Sequence, residues 1–436
     1  MRKLKKFHIH NYSSFKNNLL FWLTKNDSFC YLNSNNFNSL IPNDNSSNFI
    51  DIIAVGQINK LSINNLNTIF NDLNNFIYSC NDWVFGYFGY DLKNIIEDLN
   101  SNNSDNIKLP DIYFYQPEYV FKLTNDCFTI EYYNDDLVIE SIFEEINNTK
   151  TLFNSNLSKN NYNIESRISK QEYIDIINKL KQHICIGDIY EINFCQEFYI
   201  ENIEINPLEL YLNLCKLSPM PFSVFSKINN TYVLSASPER FMKKVENKII
   251  SQPMKGTIKN SNDKAENEEL KNNLFNNPKE RSENIMIVDL VRNDLSKTAK
   301  RNSVKVDELC GIYSYRNIQQ MISTVSSEMD GNFTITDVIK NAFPMGSMTG
   351  APKVKAMELI EIYEKTKRGL FSGSFGYFTP EKDFDFNVVI RSILYNTNNK
   401  YISYQVGSAI TSLSNAIDEY DECLLKAKAF IDSFKL

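Results

Sequence analysis

At 436 residues the chain is longer than one core ordinarily supports, so two domains, or one large two-layer unit, are expected. Hydrophobic residues at 42% and charged residues at 23% are ordinary for a globular protein, and the net charge of −7 argues against a nucleic-acid binder, which needs a basic surface. No apolar run reaches the length of a membrane span, and "LLFWL" (19–23) is too short for a signal-peptide core, so a cytoplasmic enzyme is expected.

In chain order, "DWVFGYFGYDL" (82–92) and "IYFYQPEYVFKL" (112–123) are aromatic and β-branched and predict strands. Asparagine-rich stretches at 99–111 and 147–166 read as surface connections. The second is a linker that divides an N-terminal region (1–150) from a C-terminal domain (165–436). "QEYIDIINKLKQHI" (171–184) predicts a helix with Tyr173, Ile176, Ile177 and Leu180 on one face. "KINNTYVLSAS" (227–237) and "KYISYQVGSAI" (400–410) predict further strands. Strands and helices do not alternate regularly, so the expectation is an α+β fold, antiparallel sheets with helices packed outside.

Eight scattered cysteines form no C-x-x-C and the histidines number three, so no zinc set is offered and any metal must be oxygen-liganded. Two helices carry acidic pairs at i and i+3. "KERSENIMIVDLVRNDL" (279–295) holds Glu280 and Glu283, with Ile285, Val288, Val291 and Leu295 as its stripe. "DEYDECLLKAKAFI" (418–431) holds Glu419 and Glu422, with Tyr420, Leu424, Ala427 and Ile431 inward. Each pair reads either as a solvated face or as a carboxylate set for Mg²⁺ that keeps waters and takes oxygens from a ligand.

"SASPERF" (235–241) puts Glu239 after a strand and a proline, either a helix-start carboxylate or an acid raised by burial. "FPMGSMTGAPKVKAMELIE" (343–361) is a glycine-bearing loop entering a helix. It is not a P-loop, but its N–H groups are suited to an anion. "FDFNVVIRSI" (384–393) reads as one alternating strand with Arg391 among apolar neighbours, suited to grip a carboxylate if buried.

Taken together, "GDIYEINFCQEF", "SASPERF", "PMKGT", "ENIMIVDLVRNDL", "FPMGSMTGAPKVKAMELI", "SGSFGYF", "FNVVIRSI" and "EYDECLLKA" fall in order across roughly 170–430. The ordered set resembles the chorismate-utilising enzymes, which include anthranilate, aminodeoxychorismate, isochorismate and salicylate synthases; "GYFGYDL" (86–92) extends the likeness weakly toward the N-terminus. The resemblance implies an anthranilate-synthase-like fold of two subdomains. It implies direct Mg²⁺ ligands at Glu283 and Glu422, with Glu280 and Glu419 nearby. Tyr377 and Arg391, helped by backbone N–H groups of Gly407, Ser408 and Ala409, would bind the enolpyruvyl carboxylate. Gly256 and Thr257 would line the ring, and Glu239 would protonate the departing C4 hydroxyl.

By the same resemblance Lys255 separates two reactions. Anthranilate synthases carry alanine there; aminodeoxychorismate synthases carry the lysine that attacks C2 before ammonia adds at C4. C4 amination to 4-amino-4-deoxychorismate, for 4-aminobenzoate and folate synthesis, is therefore expected, with a Lys255 pKa lowered by burial, Mg²⁺ and Arg391. "SPMPFSVF" (218–225) points the same way. The chain has no G-x-C-x-G-x-Q amidotransferase string and no room for a lyase domain, so ammonia is expected from a separate glutamine amidotransferase subunit. The alternatives are anthranilate synthase component I, with amination at C2, and a non-catalytic family member acting as a binding subunit. Three departures stand out: Gln320 where the family usually has a histidine; "GSAI" where Gly-Gly-Gly-Ile is usual, which places side chains at Ser408 and Ala409; and Asn284 where anthranilate synthases have a histidine, although asparagine is familiar there in the aminodeoxychorismate group.

Overall fold

Side-chain alternation along the strands sets the architecture of the computed structural model, which describes residues 1–37, 50–64, 66–149, 162–261 and 263–436. In strand Phe29–Asn33, Phe29 and Tyr31 pack into one apolar layer and Cys30 into another. Strand Val84–Phe88 sends Phe85 and Tyr87 into that second layer, and Val84 and Phe88 into a third. Strands apolar on both faces need cover on both sides. Two antiparallel sheets therefore stack on the shared layer, and helices close the two outer faces. The fold is α+β with its helices outside.

Among the described residues the larger sheet has twelve strands and the smaller ten. Both mix early and late chain: Phe29–Asn33 pairs with Phe222–Ile228, and Val84–Phe88 with Ser374–Phe378. Of the linker expected at 147–166, residues 150–161 lie outside the described residues.

Two of the chain's passages between the sheets lie side by side. Strand Thr231–Ser237 of the larger sheet leads through Pro238 and Glu239 into Arg240–Val245 of the smaller. Strand Phe384–Asn387 of the smaller leads through Arg391 into Ser392–Asn396 of the larger. The stretch read as one alternating strand is thus two strands in different sheets, because Arg391 at φ +50° breaks the extended run. The passages are tied together: Val388 N–H donates to Glu239 O at 3.0 Å and Ala236 N–H to Arg391 O at 3.1 Å. No helix starts at Glu239.

Helix Lys170–Ile186 begins where Ser169 accepts the Glu172 amide, ends at left-handed Gly187, and buries Tyr173, Ile176, Ile177 and Leu180 as predicted. Helix Pro278–Ser296 begins at Asn277, which accepts the Lys279 and Glu280 amides. Its inward face differs from the predicted stripe. Ile285 is exposed, while Asn284 is buried and accepts from the Ser323 hydroxyl. Helix Ala416–Ser433 turns Glu419, Cys423, Ala427 and Phe430 inward, and leaves Leu424 exposed and Tyr420 and Ile431 half-buried. Periodicity located both helices but set each rotation one residue out, because a polar inward residue with a partner outranks an apolar one at the edge.

Beneath the passages, Arg368 is 2% exposed and joins three segments. It donates to both oxygens of Glu364, to Met348 O at 2.6 Å and to Asn193 O at 2.8 Å. Glu364 also accepts the Cys195 N–H. Removing one partner of such a pair strands a buried charge and costs about 3–5 kcal/mol. Arg368→Met should lower the urea midpoint accordingly, with m unchanged. The double variant Arg368→Met/Glu364→Met should recover part of the loss, because no charge is left alone; a double variant less stable than the single one contradicts this account.

Candidate active site

The two passages present Glu239 and Arg391 side by side. Glu239 is 4% exposed and accepts from Ser347 Oγ at 2.7 Å. Burial pushes its pKa up to about 7, against the Ser347 hydrogen bond, the charges of Lys255 and Arg391, and the Met254 N–H. A carboxyl poised there is protonated often enough to act as an acid near neutrality. Ser347, which the sequence reading did not single out, comes from the glycine-bearing loop. Part of that loop is held in the larger sheet: Gly350 and Ala351 pair with Ile192 and Glu191, and Thr349 O accepts from Asn193 N–H.

Lys255 lies on strand Met254–Lys259, at the edge of the smaller sheet. Its Nζ donates to Glu191 Oε1 at 2.7 Å, and the two side chains are only 12% and 1% exposed. Glu191 starts strand Glu191–Ile200 of the larger sheet, so this ion pair spans the sheets. Burial lowers the lysine pKa, but the charges of Glu191 and Glu283, the Glu191 hydrogen bond and Glu239 outweigh it and raise the amine above its ordinary value. The lowered pKa expected from sequence is therefore not found. The reading missed Glu191, whose signal was an acid within the otherwise apolar "IYEINF".

The acidic pairs divide. On helix Pro278–Ser296, Glu283 is buried, its Oε1 has no hydrogen-bond partner, and burial pushes its pKa up to about 7, with Glu191 and Glu280 adding to the shift against Lys255 and Lys279. Glu280 is raised by burial and by Glu422 across the gap, against Lys279. Glu422 is half-exposed and holds Lys426 at 2.7 Å; burial raises its pKa, but Lys426 outweighs it and the net shift is downward. Glu419 faces inward and accepts the Ser408 hydroxyl. Among the described residues no three His, Cys, Asp or Glu side chains form a ready metal cage. Glu280, Glu283 and Glu422 nevertheless fit a hard divalent cation: they repel one another, one has an unpartnered buried oxygen, and Mg²⁺ draws its remaining ligands from water and substrate.

The ring-lining pair is held by Gln320, which donates to Gly256 O at 2.6 Å and accepts from Thr257 Oγ1 at 2.7 Å. Gly256 has φ +79°, and a Cβ there would stand 2.9 Å from Glu280 Oε2, so only glycine suits both the turn and the carboxylate. Arg391 is partly buried and, among the described residues, has no carboxylate or hydrogen-bond acceptor for its guanidinium. Strand Tyr401–Ile410 pairs with Ser392–Asn396 only up to Tyr404, so Gly407, Ser408 and Ala409 extend past that neighbour, where Lys426 Nζ donates to Gly407 O and Ser414 Oγ to Ala409 O. Tyr377 is not gathered with this group: its ring packs on Trp83 and Phe85, centroids 5.6 Å away, in the layer between the sheets.

A family model described as chorismate binding enzyme matches residues 28–432. The chain is 33% identical over 388 residues to "Probable aminodeoxychorismate synthase, chloroplastic" of Oryza sativa subsp. japonica, covering 79% of this chain and 42% of that protein. It is 30% identical over 369 residues to "Anthranilate synthase component 1" of Aquifex aeolicus, covering 81% and 74%. The crystal structure of anthranilate synthase component I from Streptococcus pneumoniae shares the fold, with a TM-score of 0.76, 22% identity, and coverage of 88% of this chain and 92% of that one. No described helix is long and apolar enough to cross a membrane.

Glu239 allows a test that needs no substrate. Its folded pKa of about 7 exceeds the ordinary 4.5, so the folded state holds the proton more tightly than the unfolded state. That contribution is complete below pH 4.5 and is lost as pH rises through 7, a change of roughly 3 kcal/mol. Glu239→Gln is uncharged throughout. Its stability relative to wild type should therefore climb between pH 5 and 7.5 in urea titrations; a constant difference contradicts the assignment.

Proposed function

Since the chain belongs to the chorismate-binding enzymes, we propose that it aminates chorismate at C4, giving 4-amino-4-deoxychorismate, in the cytoplasm and with ammonia supplied by a glutamine amidotransferase subunit. The observation that carries this reading is Lys255 itself: an amine among Glu191, Glu239 and Glu283, where a ring bound against Gly256 and Thr257 would meet it.

Each group then has a task. Arg391, whose guanidinium makes no hydrogen bond or ion pair among the described residues, binds the enolpyruvyl carboxylate near Gly407–Ala409, which extend past strand Ser392–Asn396. Glu280, Glu283 and Glu422 would hold Mg²⁺, which when bound supplies positive charge for the ring carboxylate. Lys255 attacks C2 while Glu239 gives its proton to the departing C4 hydroxyl. Ammonia then adds at C4 and expels the lysine. Two displacements through a covalent stage replace one difficult one. Gln320 holds the Gly256–Thr257 turn and cannot shuttle a proton near neutral pH.

Incubating the chain with chorismate, Mg²⁺ and ammonium should yield the 4-amino product; a 2-amino product or anthranilate would favour the C2 reaction instead. Lys255→Ala should lose C4 amination and gain detectable C2 product, while Lys255→Arg should be inactive, since arginine keeps its proton. An active Lys255→Arg enzyme without a chorismate adduct on its peptide rejects the covalent route. Glu283→Gln should raise the Mg²⁺ needed for half-maximal activity by more than roughly tenfold; an unchanged requirement removes Glu283 from the metal set.

A further inference from the structure

Glu191 has no part in the reading above, yet its position gives it one. Its Oε1 lies 2.7 Å from Lys255 Nζ, and its Oε2 is buried with no hydrogen-bond partner. The site is built tightly around it. Glu191 pairs with Ala351, and a Cβ on neighbouring Gly350 would fall 2.2 Å from the Glu191 carbonyl oxygen. The other charges acting on Lys255 are Glu239, from the passage between sheets, Glu283 and Glu280, from helix Pro278–Ser296, and Glu422, from helix Ala416–Ser433; Glu280 also lies against Gly256, the next residue. Among the described residues only Glu191 is paired with the amine.

An ammonium is no nucleophile, and the base already in contact with it is Glu191. Resting on the nucleophile reading of Lys255, we propose that Glu191 takes the Lys255 proton to free the amine and returns it when the amine is expelled. The proton passes from Nζ along the existing hydrogen bond to Oε1, leaving an amine and a carboxylic acid. The amine lone pair forms the bond to C2, the ring double bond shifts, the C4–O bond breaks, and the hydroxyl leaves as water with the Glu239 proton. Ammonia forms the C4–N bond, the double bond shifts back, and the C2–N electron pair returns to Lys255 as a neutral amine. Glu191 gives its proton back to that amine, and the new C4 ammonium restores the one lost by Glu239. A substrate that excludes water favours the first transfer, because it removes two buried charges at once.

The test uses the full chain with Mg²⁺, chorismate and constant free ammonia across pH. Glu191→Gln should lower kcat for C4 amination by about 10²-fold at pH 7, and the ratio of its kcat to that of wild type should then rise about tenfold per pH unit, since the fall as Glu239 loses its proton is common to both; KM for chorismate should move by less than about threefold. Without chorismate, the pH midpoint for acylation of Lys255, read by peptide mass spectrometry, should fall in Glu191→Gln. Glu191→Asp keeps the base at a longer reach, so kcat should drop without a new pH slope; if Glu191→Gln does not fold, this variant carries the test. A ratio of Glu191→Gln to wild-type kcat that stays constant with pH, or an unchanged kcat in Glu191→Asp, overturns the proposal even if the acylation midpoint shifts. Full C4 amination by Lys255→Ala is a different result: it removes the nucleophile reading and this proposal with it.

Discussion

Two stretches of chain change sheets side by side, and the site depends on that passage. Between Ser237 and Arg240, and between Asn387 and Ser392, the backbone leaves one sheet for the other, and each stretch is hydrogen-bonded to its neighbour. A passage between stacked sheets cannot stay extended, and Arg391 adopts φ +50° there. A non-glycine residue in that region costs of order 1–3 kcal/mol and persists only where its surroundings over-determine it. Here the surroundings are the Ala236 and Val388 hydrogen bonds between the passages and the bond from Ser372 N–H to Val389 O, with Arg368 donating in turn to Ser372 Oγ. Rigid backbone at the passage fixes the acid Glu239 and the cation Arg391 without a long side-chain reach from either.

Charge is the second constraint. Lys255 is one amine among three buried or nearly buried carboxylates, and burial pushes Glu239 and Glu283 up to about 7 while the Lys255 charge opposes that rise. On the proposed reading, a substrate with two carboxylates would bring further negative charge, which Arg391 and a cation held by Glu280, Glu283 and Glu422 would offset. The raised Lys255 pKa follows from the same crowd. On the nucleophile proposal, the lysine would be held as an ammonium until something accepts its proton, so the carboxylate beside it would matter as much as the amine.

How much of this was legible in the sequence varied with the kind of information. Strands, helices and layers followed from alternation, period and caps, because those patterns record which face is buried. The i, i+3 spacing placed Glu280 with Glu283 correctly on one helix. It did not show that Glu419 turns to Ser408 while Glu422 turns outward, because helix rotation is decided by the partner surface. "FDFNVVIRSI" looked like one strand because alternation does not reveal a change of sheet. Tyr377 was misplaced for a related reason: strand Ser374–Phe378 sends alternate residues to opposite faces, and the face of Tyr377 is the aromatic layer between the sheets. Glu191 and Ser347 escaped notice because their partners lie 64 and 108 residues away.

The departures from the usual family strings look different once their contacts are known. Ser408 brings a hydroxyl where glycine is usual, and that hydroxyl goes to Glu419, so the added side chain and the inward turn of the carboxylate are one adjustment. Gln320 gives up proton shuttling but uses both ends of its amide on the Gly256–Thr257 turn, where a neutral imidazole would offer one donor and one acceptor on a ring with less reach. Asn284 stays buried by accepting from Ser323 and anchors the helix that carries Glu280 and Glu283. Each substitution keeps a hydrogen bond that positions a backbone or a carboxylate, and none removes a group assigned to bond making or proton transfer. The chemistry is thereby concentrated in Lys255, Glu239 and the base next to the lysine.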